Sequence, residues 1–255
     1  MGWTRGIFPL GIMRLSKAGF LAATNRSRIG GAFPNGFRHR ASPSEAIHYL
    51  GQYWNNLNAP GGGSIYLAAG TGLANLITTN NLATGLGLVI NNGNFQANEI
   101  VNGGLLNPSY ALLGNFAVTN ATKDYIFTTA ASGAGLALTN LDPTAVYRLR
   151  MFGTRNTDAS TTRTSQDIVT GGNGPFTNIL QTSGSHAWTN NGVVYYGNIN
   201  TIISVNGTVP DANNQIQLGL PSVAGGYAYL GIMEITANHP PVANNNGFRR
   251  NGLNA

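Results

Sequence analysis

Between Val146 and Phe152 the chain alternates without a break: Tyr147, Leu149 and Met151 stand on one parity, Arg148 and Arg150 on the other. A side-chain period of two puts the first set on a buried face and the second in water, so a half-buried strand is predicted. Shorter apolar runs bounded by Gly or Asn repeat the theme at residues 64–68, 87–90, 110–113, 124–128, 135–138, 167–169, 202–205 and 215–218. The last alternating run places Tyr227, Tyr229, Gly231, Met233 and Ile235 on one side and Leu230, Ile232 and Glu234 on the other. It reads as a central strand that closes the domain near Ala237. Roughly ten short strands at turn-length spacing predict an all-β fold, a jelly-roll-like β-sandwich over residues 64–237.

Residues 1–60 follow a different grammar. From Arg26 to Arg40, Gly and aromatic residues alternate with positive charge, and neither a helical nor a strand period is sustained. An extended arm that orders against a partner is expected, interrupted by one short helix near 43–55, where Ser42-Pro43-Ser44-Glu45 supplies an N-cap, a first-turn Pro and a first-turn acid. Asn58-Ala59-Pro60-Gly61-Gly62-Gly63 is a hinge, and residues 238–255, with Pro240-Pro241 and an Asn run, form a polar basic tail.

Composition sharpens this picture. Hydrophobic residues make up 42% of the chain but charged residues only 9%, well under the ~25% of an ordinary globular protein. Polarity comes instead from Asn, Thr, Ser and Gly, which favour turns over helices. There is no cysteine, which excludes disulfides and thiolate metal sites. Charge is unevenly placed. Seven of the fourteen basic residues precede the first acid, Glu45, whereas residues 41–248 carry five bases against eight acids. The apolar stretch Ile7–Met13 does not fit a cleaved export signal, because Pro9 interrupts it and Arg14 and Lys17 end it early. No run approaches the ~18 apolar residues of a membrane span.

The stretch Leu138-Thr139-Asn140-Leu141-Asp142-Pro143-Thr144-Ala145-Val146-Tyr147-Arg148-Leu149-Arg150-Met151-Phe152-Gly153-Thr154-Arg155 resembles one found in β-sandwich modules of secreted and surface proteins from Bacteroidetes-type bacteria. In those modules a Leu-Asp-Pro turn introduces a Tyr-bearing strand ending in Phe-Gly-Ser-Arg. Leu180–Gly184, Val205–Asp211 and Gly225–Gly231 follow in the same order. The resemblance covers residues 120–237 and implies a sandwich with an accessory, carbohydrate-facing or adhesive role. The chain departs from those modules in its basic, Phe-containing leader.

Catalytic signatures are missing: the sequence has no Gly-x-Ser-x-Gly, His-Glu-x-x-His or phosphate-loop pattern, and His39, His48, His186 and His239 fall in four different segments. No enzyme, cofactor or metal site is expected. Asp142, before Pro143, is expected to cap its turn, and Arg148 and Arg150 to face solvent. Trp188, Tyr195 and Tyr196, among Asn and Gly between predicted strands, are the candidate ligand-binding residues, with core or interface closure as the plainer alternative. Arg26, Arg28, Phe33, Phe37, Arg38 and Arg40 are the candidate contacts of the arm, to protein or to nucleic acid; the interspersed aromatic residues favour protein.

Together, a near-neutral sandwich and a basic leader fit an appendage of a bacteriophage particle: a fibre, spike or decoration protein, trimeric by analogy, fixed to other virion proteins and binding host surface glycans. Two alternatives are a single-jelly-roll capsid shell protein whose arm meets nucleic acid, and a bacterial carbohydrate-binding module, extracellular or on the cell surface.

Overall fold

The computed structural model describes residues 8–15, 54–57, 65–98, 103–129, 133–190 and 193–239. Within them run β1 (Phe8–Leu15), β2 (Trp54–Leu57), β3 (Ile65–Ala68), β4 (Gly72–Leu73), β5 (Gly87–Asn92), β6 (Asn94–Asn98), β7 (Tyr125–Thr128), β8 (Ala134–Thr139) and β9 (Val146–Phe152). There follow β10 (Arg163–Gly171), β11 (Gly174–Asn190), β12 (Val193–Gly197), β13 (Ile203–Thr208), β14 (Ile216–Leu220), β15 (Ser222–Ala224), β16 (Ala228–Leu230) and β17 (Ile232–Asn238). Two four-residue helices, α1 (Tyr110–Leu113) and α2 (Thr119–Thr122), flank a tighter helical turn over Gly114–Phe116. The chain is an all-β sandwich, as its strand grammar predicts. No helix among the described residues is long and apolar enough to cross a membrane.

The described strands form three sheets. A five-stranded sheet has the order β13-β9-β17-β1-β2, an eight-stranded sheet the order β12-β11-β10-β14-β8-β5-β4 with β15 beside β10, and a four-stranded sheet the order β16-β7-β6-β3. In β9, Tyr147, Leu149 and Met151 are buried and Arg148 is exposed, the alternation read from the sequence. These side chains join Met233 and Ile235 against Leu136, Leu138, Val169, Leu180, Leu218 and Leu220 of the larger sheet, so the main core is the seam between two sheets.

The 227–235 run is not one strand. It breaks at Gly231, whose N–H donates to the Phe152 carbonyl, and β16 and β17 belong to different sheets. Alternation fails beyond the break because Ile232 to Ile235 are all buried. Leu105, Leu113, Phe116 and Ala121 cover the outer face there, packing on Phe152 and Ile232. Arg150 is drawn into this layer: half-buried, it pairs with the buried Glu234 at 3.1 Å and lies 4.9 Å above the Phe116 ring, so it is not a simple solvent-face residue. Residues 110–113, expected as a strand, are helix α1. The buried Leu113 and Phe116 stand three apart, a helical spacing that so short a run does not distinguish from strand.

The leader also differs from a free arm. β1 pairs antiparallel with β17, from Phe8 opposite Ala237 to Arg14 opposite Ile232, and parallel with β2. Without β1, the edge of β17 would expose a row of unpaired backbone donors and acceptors. The register slips between Pro9 and Gly11, where proline has no N–H to give. Trp54 and Asn55, the end of the expected helix, begin β2; the buried Asn55 amide donates to and accepts from the Ile77 backbone at 2.8 Å each. Residues 43–53 of that helix, Arg26, Arg28, Phe33, Phe37, Arg38 and Arg40, and tail residues 240–255 lie outside the described residues.

Candidate functional site

The aromatic residues singled out in the sequence lie on strands rather than in loops. β11 and β12 form a hairpin at the edge of the large sheet, with Trp188 opposite Tyr195 and Ser183 opposite Gly197. The consecutive β-branched and aromatic residues Val193, Val194, Tyr195 and Tyr196 favour the strand in this Asn- and Gly-rich stretch. The Trp188 side chain lies outside the described part of the structure. Tyr195 is buried. Its hydroxyl shares a hydrogen bond with Thr154 Oγ1 at 2.8 Å and donates to the Gly103 carbonyl at 3.2 Å. Burial holds that phenol above its ordinary pKa. Neighbouring strand residues point to opposite faces, so Tyr196 is carried to the other side, where it is half-buried. Its hydroxyl makes no hydrogen bond among the described residues.

Beyond Gly197 the chain turns back through Asn198–Thr201. One buried side chain holds this turn: Asn198 Oδ1 accepts from the N–H groups of Asn200 at 3.2 Å and Thr201 at 2.8 Å. Its Nδ2 donates to the carbonyls of Gly153 at 3.0 Å and Thr201 at 2.8 Å. All four bonding positions of the amide are used, which makes Asn198 a fixed strut. Between this turn and the sheet edge opens a concavity of about 470 Å³, lined by Gln181, Ser183, Tyr196, Ile199, Asn200 and Thr201 with Gly184 and Gly197. Among the described residues no carboxylate, imidazole, amine or guanidinium lines it; those residues offer amides, hydroxyls and one phenol ring.

The wall behind the concavity is the segment after β9. Thr182 O accepts both the Arg155 N–H at 3.0 Å and the Asn198 N–H at 3.1 Å, and Asn156 Oδ1 accepts the Tyr196 N–H at 2.7 Å. A Cβ at Gly153 would collide with the Tyr229 carbonyl oxygen, so only glycine fits there. Phe152-Gly153-Thr154-Arg155, the stretch that carries the family resemblance, is therefore a scaffold that fixes the hairpin. At its other end Asp142 does cap the turn: Oδ1 accepts from Thr144 N at 2.8 Å and Thr144 Oγ1 at 2.7 Å, and Tyr147 OH accepts the Asp142 N–H at 2.8 Å. The Thr144 hydrogen bonds hold the Asp142 carboxyl below its usual range. His239 Nδ1 lies 3.6 Å from the same carboxylate.

Of the two candidates whose side chains are described, Tyr196 lines the concavity and Tyr195 does not. Gln181, Asn198, Asn200 and Thr201 were not found from sequence. The available signal was the polar turn Asn198-Ile199-Asn200-Thr201 directly after a Tyr-Tyr strand end. No group of three or more His, Asp or Glu side chains among the described residues is placed to hold a metal ion.

No family model matches the chain, and no curated protein matches its sequence. Among solved structures, it matches the CBM22-1–GH10 modules of the N-terminal endo-1,4-beta-D-xylanase 10B of Clostridium thermocellum, complexed with xylohexaose, at 14% identity and a TM-score of 0.30. That match covers 58% of this chain and 27% of the xylanase chain. The family 32 CBM of C. perfringens NanJ, in complex with galactose, matches at 14% identity and a TM-score of 0.26, over 55% of this chain and 93% of that one.

Proposed function

We propose that this protein is a non-catalytic binding module whose ligand is a neutral, hydroxyl-rich molecule, a surface glycan, held at the edge of β11 and β12. The chemistry of the concavity carries this reading. About 470 Å³ is room for one or two sugar rings, within the ~300–1,000 Å³ range of small-ligand sites. Amide and hydroxyl groups satisfy sugar hydroxyls without the cost of burying a charge, and a phenol ring gives a flat apolar face. The described lining residues hold no acid–base pair, which favours binding without turnover. Asn198 makes the site rigid before the ligand arrives, which lowers the ordering cost of binding.

Glycan-array screening of the full chain, followed by calorimetry on hits, tests this. Neutral oligosaccharides should bind, and Tyr196→Ala and Gln181→Ala should weaken them about tenfold or more while leaving the fold intact. Release of a shortened glycan, or hits unaffected by both substitutions, would overturn the proposal.

A second reading concerns where the module works. The concentration of seven basic residues before Glu45, interspersed with Phe33 and Phe37, favours a leader that docks the sandwich to a larger assembly such as a virion. Mass spectrometry of purified particles checks it; absence of the chain removes the virion role and leaves an extracellular or cell-surface one.

A further inference from the structure

On the inner side of the 153–156 segment, two arginines meet a cluster of rings. Tyr125, Phe127 and Tyr229 are buried together, with Tyr227 half-buried beside them; Tyr125 and Tyr229 meet edge to face at 5.1 Å, and Tyr227 stacks on Tyr229 at 5.9 Å. The Arg163 guanidinium lies 4.1 Å over the Tyr227 ring and 5.7 Å over Tyr229, and donates to the Tyr229 hydroxyl. Arg155 Nη1 donates to the Tyr125 hydroxyl at 2.7 Å. Neither arginine meets an acid: among the described residues the ion pairs are Arg150–Glu234 and Asp142–His239. Tyr229 does not supply the missing negative charge, because burial keeps its hydroxyl neutral with a pKa pushed up to about 12.

Each guanidinium carries five N–H donors, yet each donates to a single tyrosine hydroxyl here. Arg163 Nε is fully buried and has no hydrogen-bond partner. Two half-buried cations, both close enough to act on the Tyr229 hydroxyl, therefore stand without a counter-ion among the described residues. Unsatisfied charged donors are costly in a half-dry setting, and a planar two-oxygen anion matches the guanidinium fork. Cation–π contacts hold the forks in place but leave their net charge unchanged.

We infer that the Arg155–Arg163 pair, backed by Tyr125, Tyr227 and Tyr229, is a binding site for a carboxylate, brought either by an acidic sugar or by a small free acid. This site is separate from the neutral concavity and does not rest on the glycan reading. Arg163 supplies its remaining Nη donors, Arg155 a second fork, and Tyr227 a half-exposed ring against which a sugar face packs.

Titration of the isotope-labelled full chain with glucuronate, acetate and glucose at low ionic strength tests it. Saturable shifts at Tyr227 and Tyr229 with glucuronate, weakened by salt and not produced by glucose, are expected; an equal response to acetate identifies a free-acid site and a weaker one an acidic-sugar site. Arg163→Gln and Arg155→Gln should each lower affinity about tenfold or more, with Arg163→Lys intermediate, while Tyr196→Ala leaves the carboxylate response unchanged. If neither glucuronate nor acetate gives saturable shifts in the wild-type chain, or if glucose matches them, the inference is wrong. The wild-type measurement stands even where an arginine variant fails to fold.

Discussion

Asp167 lies in the middle of β10 on the parity of Ser165 and Val169, all three buried, and points into the seam between the sheets. It is 1% exposed, and among the described residues Oδ2 has no hydrogen-bond partner and no cation offsets it. Desolvation alone raises its pKa from 3.8 to about 7. The sign follows from linkage: the folded pKa lies above the unfolded one, so the folded state holds its proton more tightly. Stability is complete below pH ~4, declines as pH rises towards 7, and levels off above it. At about 1.4 kcal/mol per pKa unit, the full decline is on the order of 4 kcal/mol, a large part of a typical domain's stability.

Asp167→Asn keeps the shape and removes the ionisation. Urea unfolding of wild type and variant, followed by circular dichroism at intervals from pH 4 to 9, isolates this one group, because every other titration cancels in the difference. Near pH 4 the two proteins should be within about 1 kcal/mol of each other, whereas at pH 8 the variant should be more stable by roughly 3–4 kcal/mol. A difference that does not change with pH would refute the reasoning, since it would mean that the carboxylate is already ionised or already solvated in the folded state.

Gly153→Ala should destabilise the fold by roughly 1–3 kcal/mol, because its Cβ meets the Tyr229 carbonyl; a melting temperature equal to wild type would count against that contact. Tyr147→Phe removes the acceptor of the Asp142 N–H and should cost about 1 kcal/mol by chemical denaturation, with no effect on ligand affinity. Glu234→Gln leaves Arg150 without its charged partner beside the Phe116 ring and should cost roughly 2 kcal/mol by chemical denaturation at neutral pH. Asn198→Ala should separate stability from function: the 198–201 turn loosens, and glycan affinity falls further than the melting temperature suggests.

The parts of this fold legible in the sequence are those where a single local rule decides the outcome. Tyr147, Leu149 and Met151 announce β9 because one face of that strand is wet, and Asp142-Pro143 announces its turn because Asx chemistry is local. Where two layers cover a strand, the alternating pattern is lost: β17 buries four residues in a row, and the break at Gly231 depends on a carbonyl of Phe152, 79 positions earlier. Tyr195 and Tyr196 are adjacent and chemically identical in sequence, and only strand parity sends one to the core and the other to the concavity. The concavity itself had no motif to find, because amides and hydroxyls at such a site are the same residues that make ordinary turns. Arg155 and Arg163 were equally silent, since what distinguishes them is that no acid pairs with them among the described residues, and neighbours in space cannot be read from spacing along the chain.

The segment 153–156 has two faces, and they explain why it must be built so rigidly. Outward, it anchors Asn198 through Gly153 O and Tyr196 through Asn156 Oδ1. Inward, it delivers Arg155 to Tyr125, while Thr154 fixes the buried Tyr195 hydroxyl. Thr182 O, shared by the N–H groups of Arg155 and Asn198, joins the two faces in one hydrogen-bonded unit. A shift that follows a carboxylate held by Arg155 would therefore pass through Thr182 to the Asn198 turn. Coupling of this kind is reciprocal, so if the carboxylate changes affinity for a neutral glycan, the glycan must change affinity for the carboxylate by the same factor. Calorimetric titration of each ligand in the presence and absence of the other measures that factor; a value of one means that the shared carbonyl holds still, and that the two sites work side by side without communicating.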